Sequence, residues 1–192
     1  MAGNAVVENK VTFGLKNVHY ALITEGADGS ITFGTPKRLP GAKELTLEPK
    51  GETNDFYADD TIYYSTTTNQ GYEVTLTIAN VTKEYRVEVL GDKLEDGVLT
   101  ETSNAKPKKA AYLFEFDGDI KATRHVLYNC TTSRPGLGSQ TKEESTEPGT
   151  SELSIVASPR ADGVVKRSTT AETTEAVYNA WYTKVFEPAL AV

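Results

Sequence analysis

Tyr72-Glu73-Val74-Thr75-Leu76-Thr77-Ile78-Ala79 sets Val74, Leu76 and Ile78 two residues apart, with Thr75 and Thr77 between them. A strand turns successive side chains to opposite faces, so this period of two predicts a strand with one face on a core and the other toward water. No stretch of the chain alternates more cleanly. Upstream, residues 62–68 are expected to pair with it as a hairpin turned by Asn69-Gln70-Gly71. Glu44-Leu45-Thr46-Leu47-Glu48 alternates in the same way. Over residues 11–24, Phe13, Leu15, Val18, Tyr20 and Leu22 keep the period only if the parity slips near Asn17, which predicts a strand with a bulge there. Asp28-Gly29 then predicts a turn back through Ile31-Thr32-Phe33.

Downstream, residues 110–116 predict a strand closed by Asp117-Gly118-Asp119. Residues 123–132 predict another, with Val126 and Tyr128 on one face and Leu127 on the other. Residues 151–157 place Leu153, Ile155 and Ala157 inward, and Asp162-Gly163 turns the chain. Residues 92–105 read as an acidic, turn-rich connection, and 134–149 as a flexible acidic surface loop. Two segments carry helical spacing. Val81, Tyr85, Val89 and Leu90 fit a short helix capped by Thr82 and Gly91, although Tyr85, Val87 and Val89 also alternate. Over residues 173–185, Ala176, Val177, Ala180, Trp181 and Lys184 fit a second, with Thr173 or Thr174 as cap and Pro188 as stop. Eight or more short strands with two short helices predict a mainly β fold, a sandwich or barrel with helical decoration.

Composition agrees. The chain has 192 residues, the length of one domain. Residues 1–10 read as an N-terminal arm, 11–188 as the domain and 189–192 as a tail. The 26 threonines, set against one Met and one Trp, favour strands. Acids outnumber bases 27 to 20, a net charge of −7, which disfavours gripping phosphate backbones or anionic lipid. A single cysteine, Cys130, excludes an internal disulfide framework, and with only His19 and His125 beside it no His/Cys zinc site is expected. No apolar run is long enough to span a membrane, and the first ten residues lack the basic and apolar regions of a signal peptide. The expectation is a reducing compartment, or exit by a route other than general secretion. The sequons at Asn80 and Asn129 are then chance matches.

Reactive constellations are missing as well. Asp117-Gly118-Asp119 opens like a calcium loop, but no Glu stands at its twelfth position, so a solvated turn is expected. Asp59-Asp60 has no His near by. Cys130 falls within a predicted strand, five residues from His125 and so on the opposite face, and reads as a small buried residue. Gly136-Leu137-Gly138 lacks the third glycine and the helix of a phosphate loop. No catalytic residue, cofactor or metal is expected. What stands out is residues 49–61, read as a long loop with Asp55-Phe56-Tyr57-Ala58-Asp59-Asp60 in it. Connecting loops rarely carry aromatics. Either these fold back on the core, or the loop is an arm that inserts them into another subunit.

Read in order, several stretches resemble the major tail protein family, the tail tube proteins of long-tailed, non-contractile phages of Gram-positive hosts. Phe13-Gly14-Leu15-Lys16-Asn17-Val18-His19-Tyr20-Ala21 is similar to that family's first strand. Phe56-Tyr57-Ala58-Asp59-Asp60 resembles its aromatic-acidic loop segment, and Gln70-Gly71-Tyr72-Glu73-Val74-Thr75-Leu76 the start of its next strand. There Val74 stands where the family carries Gly, which leaves the local backbone open. Residues 112–119 and 124–130 resemble the following strand pair, and Tyr178-Asn179-Ala180-Trp181-Tyr182 the closing helix.

The resemblance implies two packed antiparallel β-sheets flanked by a helix. It also implies subunits that form rings, usually hexameric, stacked into the tube through which the genome leaves. Partners would be other copies of the chain, a tape-measure protein, a tail initiator and a neck or terminator protein, with DNA as passing cargo. Residues 55–60 become the candidate subunit interface. Two other readings remain: a β-sandwich adhesin or carbohydrate-binding module, and the tube of a contractile injection or secretion machine.

Overall fold

A computed structural model describes residues 7–26, 30–138 and 148–188. Residues 1–6, 28–29, most of 134–149 and 189–192 carry expectations that lie wholly or partly outside this range. The chain starts in a long strand, β1 (Thr12–Glu25), followed by β2 (Ile31–Phe33), β3 (Lys37–Arg38) and β4 (Ala42–Lys50). Then come β5 (Thr53–Ala58), β6 (Thr61–Thr67) and β7 (Gly71–Ile78). Helix α1 begins at Lys83–Tyr85 and continues, wound as a π-helix, through Arg86–Leu90. The strands β8 (Lys93–Glu95), β9 (Val98–Thr100), β10 (Ala110–Gly118), β11 (Thr123–Thr132), β12 (Ser151–Ser158) and β13 (Lys166–Ser168) follow, and α2 (Glu175–Ala180) is the last helix.

Nine of these strands form one antiparallel path in the order β2-β1-β10-β11-β12-β7-β4, with β13 added to β11 and β3 to β1. The path curls so that β1 and β4 come close, but no ladder joins them and no barrel closes. The halves of the path face each other across the first core. There Val74, Leu76 and Ile78 of β7 meet Leu153 and Ile155 of β12, Tyr20 of β1, and Tyr112 and Phe114 of β10. Helix α1 plugs this core with Tyr85, Val89 and Leu90. Thr82 caps the helix, its hydroxyl accepting from Tyr85 N at 3.3 Å, and Gly91 ends it. A second core lies on the outer face of β10 and β11, where Leu113, Val126 and Tyr128 are covered by Trp181 and Val185. Because β10 is buried on both faces, its run Ala110-Ala111-Tyr112-Leu113-Phe114 is apolar without alternation.

Local sequence signals hold where one chain segment carries them. β7 and β12 alternate in burial as their patterns require. Val126 and Tyr128 enter the second core and Leu127 the first. The β1–β10 register slips between Lys16 and His19, and Asn17 sits there at φ 52°. Its amide donates to Glu115 Oε1 at 2.7 Å. Val74 pairs with Leu47 and Ile155 without irregularity, so the backbone there is regular strand.

Four expectations are corrected. Residues 62–68 do not pair with residues 72–79: β6 pairs with β5, and β7 pairs with β4 and β12. The acidic connection over residues 92–105 contains a small hairpin, β8–β9, turned at Asp96-Gly97 with φ of 49° and 82°. The last helix spans only Glu175–Ala180; Thr174 is its cap without a side-chain hydrogen bond, and Ala176 and Lys184 are exposed. Finally, the β10–β11 register slips between Leu127 and Cys130, so Cys130 shares the first core with Leu127 and faces the same side as His125. A one-residue slip reverses side-chain parity, which simple counting along the strand cannot see.

Two buried polar groups pin the elements together. Tyr112 OH lies 2.5 Å from Tyr85 OH and 2.6 Å from Thr132 Oγ1, closing a ring of hydroxyls in the first core. On the other face Glu115 accepts from Arg124 Nε at 2.9 Å and from Tyr182 OH at 3.1 Å. The Arg124 guanidinium stacks 3.7 Å from the Tyr178 ring, which fixes α2 against the sheet. A buried charge is tolerable only when paired and bonded in this way.

Candidate assembly surface

The strand pairs β4–β7 and β5–β6 are consecutive parts of one long ribbon. The lower part, Ala42–Lys50 with Gly71–Ile78, belongs to the sheet. Beyond Lys50 the ribbon continues, with Gln70 N donating to Lys50 O at 2.8 Å and Thr68 N to Glu52 O at 2.9 Å. At this junction the two backbones approach so closely that a Cβ on Gly51 would lie 2.0 Å from Thr68 O. Gly71, at φ +109°, allows the same approach to β12, since its Cβ would lie 1.9 Å from Ala157 O. The upper part, β5–β6, pairs with nothing else among the described residues. The expected loop over residues 49–61 is therefore the outgoing edge of a projecting two-stranded arm.

All six candidate residues lie on this arm. Asp55, Phe56 and Tyr57 are exposed in β5, Ala58 is half-buried at its end, and Asp59-Asp60 forms the tip. Ala58 pairs with Thr61 across a two-residue turn with φ of 52° and 60° at the two aspartates. Both values are positive, the signature of the hairpin turn whose twist matches the strands. Phe56 pairs with Tyr64 and Tyr57 with Ile62, with a bulge between the pairs that leaves Tyr63 extra. Ile62, Tyr63 and Tyr64, expected in the sheet, belong to the arm instead and are exposed like Phe56 and Tyr57, Tyr63 most of all at 74%. Neighbouring strand residues point to opposite faces, so both faces of the arm carry large apolar side chains. No described residue covers either face.

Charge on the arm is one-sided. Between Gly51 and Thr68 stand Glu52, Asp55, Asp59 and Asp60 with no Lys or Arg. The opposite end of the ribbon, marked by Ala42, Ile78 and Ser151, lies about 25 Å along the strands from the base of the arm at Lys50. Helix α1 follows β7 there. Asp92, buried beyond the helix, is pushed up by burial, but Arg134 and Arg86 at 2.9 and 2.8 Å outweigh this and hold its carboxyl below the usual range. Arg134 also reaches Glu101 at 3.1 Å and Leu90 O at 3.3 Å, tying the start of the 134–149 segment to the helix.

The N-terminal segment is anchored rather than free from residue 9 onward. Asn9 Nδ2 donates to Lys121 O at 2.6 Å, and Asn9 Oδ1 accepts from Lys121 N at 3.1 Å, so its amide pairs like a strand with the β10–β11 turn. A groove of about 510 Å³ lies beside it, walled by Val7, Thr12, Ile120 and Thr170.

Reactive geometry is sparse. Burial pushes the Cys130 thiol far up, away from the thiolate a nucleophile needs. Among the described residues no group of three or more His, Cys, Asp or Glu could hold a metal ion, and no helix is long and apolar enough to cross a membrane. Among the described residues, five large apolar side chains stand exposed together on one projecting arm, a surface of the kind that marks an interaction site. The family model described as phage tail tube protein matches residues 1–191, and the chain belongs to that family. Its role is structural, in a phage tail. Among solved structures, the tube-terminating cap of the anti-feeding prophage, determined by cryo-electron microscopy, matches with a TM-score of 0.50 at 11% identity. The match covers 88% of this chain and 99% of that one, and at that identity it is a likeness of fold. No curated protein matches the chain.

Proposed function

We propose that the chain polymerises as stacked hexameric rings into the tail tube, the conduit for genome ejection into the host. Its partners at the ends of the polymer are a tail initiator and a neck or terminator protein, with a tape-measure protein inside. The observation that carries this is the uncovered arm. A lone two-stranded hairpin is marginal in water, and five large apolar side chains on one are stable only against a partner surface. Asp55, Phe56, Tyr57, Ala58, Asp59 and Asp60 form part of that contact, and Ile62, Tyr63 and Tyr64 extend it. Free edges support the ring. Among the described residues β4 is paired only through β7, and residues 12–16 of β1 only through β10, so each offers unpaired backbone groups to a neighbouring copy.

Negative-stain microscopy of concentrated protein tests the reading. Rings or hollow tubes about 90–120 Å wide are expected, from six domains of this size around a pore. A protein that stays monomeric at every salt and concentration overturns it.

A further inference from the structure

The arm needs a receiving surface, and resting on the reading above, we infer that it is the α1 end of the next copy, between Lys106–Lys108 and Leu137. Three observations converge on that end. It is the end of the same ribbon opposite the arm, so arm-to-end contact is heterologous and repeats without closing, one copy on the next. It carries charge of the right sign. The segment Lys106-Pro107-Lys108-Lys109 has three bases and no acid, and it runs beside the C-terminal residues of α1, with Lys108 N donating to Val89 O at 2.7 Å. Lys106 and Lys108 are exposed and form no salt bridge to a described residue, whereas Lys109 pairs with Glu25 at 2.9 Å.

Glu88, on which Lys108 also acts, is paired with Lys37, and Asp92 and Glu101 are paired with Arg86 and Arg134. Lys106 and Lys108, without a salt bridge to a described residue, are thus available to Asp59 and Asp60 of an incoming arm. Third, the end offers apolar surface. A narrow groove, walled by Val81, Leu90 and Pro135 on one side and by the Arg86, Asp92, Arg134 and Glu101 ion cluster on the other, opens beside Leu137, which is 86% exposed. The Phe56–Tyr64 face has the chemistry to cover it. Charges set the direction and register of such a contact, and buried aromatics supply most of its strength.

Disulfide trapping tests this in assembled protein. Asp59→Cys combined with Lys108→Cys should give, on mild oxidation of tubes, a ladder of covalent multimers; Cys130 is buried and does not compete. Asp59→Cys with Glu175→Cys, at the exposed start of α2, should give none. In parallel, Lys106→Glu/Lys108→Glu should slow tube growth at least tenfold with an unchanged circular dichroism melt. Adding Asp59→Lys/Asp60→Lys in the same chain should restore growth to within about threefold. Tubes that form normally with the lysines reversed, or a ladder from the control pair as strong as from the Lys108 pair, overturn the receiving surface and leave the tube reading standing. Wild-type chain that never assembles removes both.

Discussion

Burial holds the His125 imidazole neutral. Its pKa is pushed down to about 4, chiefly by desolvation and secondly by Lys166. The ring stacks on Phe114 at 5.2 Å and meets Phe116 at a tilt at 5.3 Å, and its Nδ1 has no partner among the described residues. In the unfolded chain the same group titrates near 6.5. Between pH 6.5 and 4 the unfolded state therefore binds the extra proton, and stability falls as pH falls through that window; above it His125 contributes nothing. Since the ring is only partly enclosed, the loss is on the order of 1–2 kcal/mol, or about 5 °C in Tm. His125→Phe keeps the stack and removes the proton site. Its Tm should fall less than that of the wild type between pH 6.5 and 4, while the two match at pH 8. Equal slopes would show that His125 is not the group responsible. His19 is shifted the same way, by burial and then by Arg38, so some slope should remain in the variant.

The arm and the sheet should separate in experiment as they do in space. The side chains of Tyr57, Tyr63 and Tyr64 contribute nothing to either core, so Tyr57→Ser/Tyr64→Ser should leave the monomer's thermal melt within about 0.5 kcal/mol of wild type. Sedimentation of the same variant should show assembly lost. A fall in monomer stability of several kcal/mol would mean that the arm folds back on its own core. The sequence could not decide this, and the reason is physical. The β7 pattern names a buried face because that face is filled from within the chain. Ile62-Tyr63-Tyr64 carries strand-forming residues just as β7 does, but no described residue of its own chain covers it, and its pairing partner is settled by a ribbon continuing across Gly51. Pairing choice is non-local, and a one-residue slip such as that beside Cys130 is invisible to parity counting. Asp96-Gly97 was different. The strongest short hairpin signal stood in the sequence, but Leu94, Val98 and Leu99 flanked it too briefly to look like strands. The second helix failed for a third reason. Its spacing is right through Trp181, but Trp181 and Val185 are buried by covering the sheet, which a continued helix would not require.

At the scale of the molecule, net charge and heterologous contact pull against each other. Every copy carries −7, so bringing copies together costs repulsion that salt screens beyond about 8 Å at physiological ionic strength. Contacts between an acidic arm and a lysine-rich end act at shorter range and are screened less. Assembly should therefore accelerate as salt rises from about 10 mM toward 150 mM, because the long-range term weakens first. The same excess of acid decides how the polymer treats DNA. A conduit that held phosphate would stall its cargo, and binding through lysine and arginine would announce itself by a steep loss of affinity with salt. Eight of the twenty lysines and arginines are also engaged by the chain's own acids: Lys16, Lys37, Lys50, Arg86, Lys109, Arg124, Arg134 and Arg160 stand in ion pairs. In the proposed contact Lys106 and Lys108 face the incoming arm. Duplex DNA should accordingly run unshifted in gels with assembled protein even at about 20 mM salt, where nonspecific phosphate contacts are strongest. A shift that fades with added salt would mean that the tube surface grips its cargo. Reversing both arm acids, Asp59→Lys/Asp60→Lys, supplies the positive control: if arms and lysines neutralise each other in the polymer, unassembled variant protein should begin to retain DNA.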